Sequence, residues 1–147
     1  MSGPFRENIK KLVERLDGGV AAVLMGFDGI TVDSFAKSGH ADVLPDIQTM
    51  AMEFAHLIAQ ARRTLQSLDA GALEEFTLRT DSLALVVRVL TQEYFIAFAV
   101  LPTGNIGKAR YLLRMTAPAL RSAPPPTTVS VIILFPGLSP FGIPVSR

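Results

Sequence analysis

The stretch at residues 94–114, YFIAFAVLPTGNIGKARYLLR, decides how the rest of the chain is read. An uncharged apolar run breaks at Pro102, Thr103, Gly104 and Asn105, and a basic, helix-compatible segment follows it. At first glance Gly104, Asn105, Ile106, Gly107 and Lys108 suggest a phosphate loop. A Walker loop needs four residues between its glycines, to wrap phosphates with backbone N–H groups, and a Ser or Thr after the Lys to hold magnesium. Here two residues separate the glycines, and Ala109 follows Lys108. The segment therefore reads as a strand turning into a helix, with Gly104 and Asn105 supplying the turn.

Working outward, two further strands precede this one. Residues 75–80 alternate, with Phe76 and Leu78 on one face and Glu75, Thr77 and Arg79 on the other; residues 83–90 are almost wholly apolar, interrupted by Arg88. The connections, Thr80–Asp81–Ser82 and Thr91–Gln92–Glu93, are short enough for antiparallel hairpins. Before these strands, residues 45–68 repeat apolar side chains at helical spacing: Ile47, Met50, Ala51, Phe54, Leu57, Ile58, Ala61, Leu65 and Leu68. Pro45 suits the first turn and Gly71 a stop just beyond the end. Met50 and Met52 are expected in the core. Upstream, residues 20–25 form an apolar strand and residues 30–35 an alternating one. Phe27–Asp28–Gly29 between them predicts a tight hairpin with positive φ at both central positions. That leaves Asp28 a turn residue instead of a ligand or catalytic group. Residues 5–16 form a short amphipathic helix stopped by Asp17–Gly18–Gly19, and residues 37–44 a polar loop. The last helix runs from Lys108 to about Thr116, limited or kinked by Pro118.

Strands apolar on both faces must be covered on both sides, so residues 20–25, 83–90 and 94–101 are central. The alternating strands are edges. Hairpin adjacency then fixes an α+β fold: a five-stranded antiparallel sheet in order 2-1-5-4-3, with helices on both faces. The third strand is one edge, and it carries no Pro or Lys to block pairing.

Composition narrows function. The chain has 147 residues, enough for one domain with a real core, and is 49% hydrophobic and 18% charged. So apolar a chain predicts an exposed apolar surface used for oligomerisation. The net charge is +1 and the basic residues are scattered along the sequence, which argues against nucleic acid as a partner. There is no cysteine, hence no disulfide, thiol nucleophile or thiolate-bound metal. His40 and His56 have no companions with metal-site spacing, and no nucleophile-elbow pattern occurs. Glu74–Glu75 reads as a solvated turn. Arg62 and Arg63 are exposed helix cations that could grip an acidic partner. Arg88, set in a central strand, must reach a rim, pair with a carboxylate or snorkel, and Glu93 or Asp81 is the candidate ion-pair partner. The N-terminus has no signal-like apolar run and no stretch is long enough to span a bilayer, which points to the cytoplasm.

The order helix, hairpin, long helix, three-strand meander, helix resembles the roadblock (dynein light chain roadblock-type) family, of roadblock/profilin-like α-β-β-α-β-β-β-α layout. GGVAAVLMGFDGITVDSF is similar to that family's first hairpin. SLDAGALEEFTLRT resembles its helix end and third strand, and EYFIAFAVLPTGNIGKARYLLR its last strand, turn and helix. In style the chain resembles most the bacterial MglB-like regulators of Ras-like GTPases. The resemblance covers residues 5–121. It implies a homodimer with a continuous ten-stranded sheet, acting on a small Ras-like GTPase by modulating hydrolysis or nucleotide exchange, with no catalytic residue and no cofactor or metal of its own. Carried onto this sequence, the dimer interface comprises Glu75, Phe76, Thr77 and Leu78 for strand pairing and Met50, Phe54, Leu57 and Ala61 on the long helix. The outer side of that helix, Glu53, His56, Gln60 and Arg63, is the expected partner-binding surface. Two alternatives share these features: a dimeric scaffold indifferent to nucleotide state, and a small-molecule sensor with a cavity beneath the sheet. Residues 122–147 hold six of the ten prolines and an apolar β-prone run at 129–135; they depart from the family as a tail, disordered or added as an extra strand.

Overall fold

The computed structural model describes residues 5–122. The expectations for the tail lie outside them. The elements are α1 (Arg6–Glu14), β1 (Gly19–Gly26), β2 (Thr31–Ala36), a 3-10 turn (Ala41–Val43), α2 (Leu44–Ser67), β3 (Glu75–Arg79), β4 (Ala84–Val89), β5 (Tyr94–Val100) and α3 (Ile106–Ser122). The strands form one antiparallel sheet in the order β2-β1-β5-β4-β3. All eight residues of β1 are buried, as expected of a strand covered on both sides.

Two apolar layers sandwich the sheet. On one face, Ile9, Leu12 and Val13 of α1 and Leu112, Leu113, Ala117 and Leu120 of α3 pack on Leu24, Val86, Ile96 and Phe98. On the other, α2 lays Ile47, Ala51, Ala55 and Ile58 on Val23, Met25, Leu85, Val87 and Phe95. The two alanines let the helix sit close to the sheet. Each large side chain buried in these layers contributes about 1.5–3 kcal/mol.

Several local details differ from expectation. The β1–β2 connection is a three-residue loop, Phe27–Asp28–Gly29, in which Gly29 N–H donates to the Gly26 carbonyl at 2.9 Å and only Gly29 has positive φ, 87°. Asp28 keeps negative φ and its Oδ1 accepts the Ile30 N–H at 3.0 Å, so the turn is a type I turn followed by a bulge instead of a two-residue mirror turn. The end of α2 closes with Ala70 N–H on the Leu65 carbonyl (2.8 Å) and Asp69 N–H on the Gln66 carbonyl (3.1 Å). That is a Schellman closure, and its left-handed position is held by Asp69 (φ 53°), not by Gly71. The short carboxylate side chain tolerates that conformation better than most. The expected polar loop before α2 contains the 3-10 turn. Helix α3 runs past Pro118 to Ser122, because Ala117 and Leu120 bury on the core and Arg121 Nε donates to the Leu90 carbonyl at 2.8 Å. Those contacts outweigh the one backbone bond that proline cannot make. Met52 is 40% exposed beside Gly29 instead of in the core.

Candidate functional site: the β3 edge and the flank of α2

Strand β3 sits at the end of the sheet, and among the described residues its outer side has no strand neighbour. Alternation sends Phe76 and Leu78 to the α2 face, where they join an apolar cluster with Met50, Phe54 and Leu83. It sends Glu75 to the α3 face, and Thr77 is exposed.

Helix α2 does not cover this edge. Its deepest stripe, Ile47, Ala51, Ala55 and Ile58, is buried on the sheet, with the helix closest to β1 and β2. One flank turns to β2: Gln48 Nε2 donates to Ser34 Oγ at 3.4 Å and Met52 lies against Gly29. The opposite flank carries Met50, Phe54, Leu57 and Ala61 at helical spacing. Met50, with Leu83 and Leu101, lines a cleft of about 270 Å³ beside the β3–β4 turn. Met50, Phe54 and Ala61 are half-buried and Leu57 is 47% exposed. The structure thus places the helix residues expected at an interface on the same side of the molecule as the edge strand. Glu53, His56, Gln60 and Arg63 are all exposed and form a separate stripe, opposite the sheet.

The edge is held in place by ionic contacts that the sequence reading missed. Glu75 stands directly opposite Arg88 in the β3–β4 ladder, with Oε1 3.6 Å from Arg88 Nη1, while its Oε2 accepts from Arg110 Nε of α3. Glu75 is therefore no solvated turn residue, and Arg88 pairs with it instead of with Glu93 or Asp81. Cross-strand register brings the two face to face, whereas the loop carboxylates lie beyond the strand ends. Arg88 Nε is buried without a partner. Arg62 is likewise not free to grip a partner. It stacks 4.3 Å over the Phe27 ring and donates to the Gln92 carbonyl and side chain at 3.2 and 2.8 Å, tying α2 to the β4–β5 turn.

Elsewhere the polar groups are structural. Asn105 Oδ1 accepts the Lys108 N–H at 2.9 Å, so the former phosphate-loop candidate is the N-terminal cap of α3. Asp33, 7% exposed on β2, accepts from Arg6 Nε at 2.8 Å and from the Ser34 N–H. Burial holds the Tyr94 hydroxyl above its ordinary pKa, and the nearby carboxylates of Glu93 and Asp28 add to the shift. Among the described residues no group of three or more His, Asp or Glu could hold a metal ion, and no helix is long and apolar enough to cross a membrane.

This architecture is that of the roadblock/LC7 class of domains. A Roadblock/LC7 domain from Streptomyces avermitilis shares it with a TM-score of 0.67 at 19% identity, over 78% of this chain and 92% of that one. The gliding protein mglB from Thermus thermophilus gives 0.68 at 18% identity, over 82% and 90%. MglC from Myxococcus xanthus is similar in sequence as well: 35% identity over 82% of this chain and 98% of that one, with a TM-score of 0.59. The chain belongs to the roadblock family. No protein-family model matches it, and no curated protein matches it.

Proposed function

We propose that this protein is a non-enzymatic homodimer that regulates a small Ras-like GTPase in the cytoplasm. The carrying observation is the open β3 edge flanked by the half-buried Met50, Phe54 and Ala61 and the exposed Leu57. Two copies paired along β3 would satisfy the edge backbone groups, extend the sheet to ten strands and cover the α2 flank. Family membership and likeness to MglC support a role as a platform for a partner. The exposed α2 stripe of Glu53, His56, Gln60 and Arg63 is the proposed partner surface.

The test is GTP hydrolysis and nucleotide exchange by the cognate GTPase, with and without this protein. A change in either rate supports regulation. Binding with no change in either leaves a scaffold and sinks the regulatory reading. Light scattering on the eluting protein reads the dimer directly.

A further inference from the structure

The cations that are scattered in sequence are gathered in space. Helices α1 and α3 lie side by side on one face of the sheet. Lys10, Lys11 and Arg15 on or just after α1, and Lys108, Arg114 and Arg121 on α3, are all exposed; Arg121 bonds a neutral carbonyl, that of Leu90, and keeps its charge unpaired by a carboxylate. Arg6 and Arg110 are occupied by Asp33 and Glu75 and are not part of this set. Against the six stand only Glu7 and Glu14 on the two helices, with Asp17 at the rim; α3 carries no acidic residue at all. The whole chain has a net charge of only +1, so the charge is polarised towards this layer. The outer stripe of α2 on the opposite face shows no such excess, with Glu53 offsetting Arg63.

Apolar groups stand among these cations. Tyr111 and Met115, one helical turn apart on α3, are 51% and 60% exposed, and the Arg114 guanidinium lies 5.8 Å from the centre of the Tyr111 ring. An exposed aromatic and a flexible apolar side chain on a layer that also carries exposed Lys and Arg is the composition of a surface that seats at the polar boundary of a bilayer.

From this we infer that the α1/α3 layer is a docking face for anionic phospholipid. Charge complementarity with a plane of anionic headgroups, and the exposed Tyr111 and Met115 on the same layer to enter the polar boundary, argue for that occupant. Pairing strengthens the case. Two antiparallel copies of one strand within a continuous sheet are related by a two-fold axis perpendicular to that sheet. Both α1/α3 layers then lie on the same side, and the cationic area doubles in one plane. That doubling rests on the proposed homodimer; the single-copy face does not.

The experiment is co-sedimentation of the full chain with vesicles of phosphatidylcholine alone or with ~30% phosphatidylglycerol, at low and raised salt, with the mass read by light scattering. The expected result is at least ~100-fold greater partition onto the anionic vesicles, falling as salt rises. Removing Lys10, Lys11 and Arg114 together as glutamines should weaken it by about fivefold per charge. Tyr111→Ser with Met115→Ser should weaken it further at unchanged charge, and Arg63→Gln on the far face should leave it alone. All these side chains are exposed, so the fold survives the changes. Equal partition onto neutral and anionic vesicles, an Arg63→Gln loss as large as the triple's, or capture on polyglutamate or duplex DNA with none on vesicles would overturn the inference. A monomer that still prefers anionic vesicles through Lys10, Lys11 and Arg114 upholds this face and sinks the pairing; a dimer with no preference does the reverse.

Discussion

The two edges of the sheet have the same strand chemistry and opposite surroundings. β2 is sheltered: α1 packs over it on one face, the flank of α2 reaches it on the other, and Asp33 is tied inward to Arg6. Neither helix layer packs on β3 to a comparable extent. Its Phe76 and Leu78 stay half-buried beneath a helix flank that is itself half-buried. Both strands alternate, so alternation alone marks an edge without saying which edge is finished. What distinguishes them is where the helices land, and α2 lands off-centre, with Ala51 and Ala55 seating it closely over β1 and towards β2, away from β3.

This contrast can be broken at its strongest point. Leu78→Asp should place a charge in the proposed seam and raise the dimer dissociation constant at least ~100-fold, about 3 kcal/mol, read as a fall in mass on dilution. Thr31→Asp on the opposite edge should leave the mass unchanged. Loss of the dimer from both, or from neither, would end the distinction between the edges. A smaller effect is expected in the ion cluster that props up β3. Glu75→Gln strips the carboxylate from two arginines, one of them mostly buried, and should cost about 1–3 kcal/mol in chemical denaturation. Arg110→Gln, half-exposed, should cost less than about 1 kcal/mol. Asp69→Gly should stabilise the fold by about 0.5–1 kcal/mol, because glycine enters the left-handed position without the Cβ penalty. The smallest effect is at high pH. The raised Tyr94 pKa means the folded state keeps its proton longer than the unfolded chain, whose tyrosine titrates near 10. Stability from this group is therefore complete below pH ~10 and is lost as pH rises above it, and Tyr94→Phe should flatten that decline in a thermal melt across the range.

The strand order was legible because it follows from burial alone: doubly apolar strands must be inside, hairpins must be neighbours, and one arrangement remains. That Met50, Phe54, Leu57 and Ala61 share one flank of the long helix followed from helical spacing, while their assignment to an interface came from the family resemblance. Other features depended on facts that sequence spacing does not carry. The partner of Arg88 is set by register, which pairs it with Glu75 across the ladder instead of with the adjacent loops. The turn at Phe27–Asp28–Gly29 has one more residue than the Asp–Gly signal suggests, because Gly26 and Ile30 still bond across it. Arg62 looked exposed until Phe27 and Gln92 were brought beneath it. Cations scattered through two helices, separated by most of the chain, became one face only when those helices packed side by side.

Where α1 gives way to β1 and β5 gives way to α3, the backbone passes within touching distance of itself. A Cβ on Gly18 would lie 3.1 Å from the Gly104 Cα, and one on Gly104 would lie 2.6 Å from Val100 Cγ1. The exit of one outer helix and the entry of the other are thus pinned at a single bare joint. The paired helices form a lid riveted at that corner, so a side chain grafted at Gly104 would pry both up together and leave the helix on the far side undisturbed.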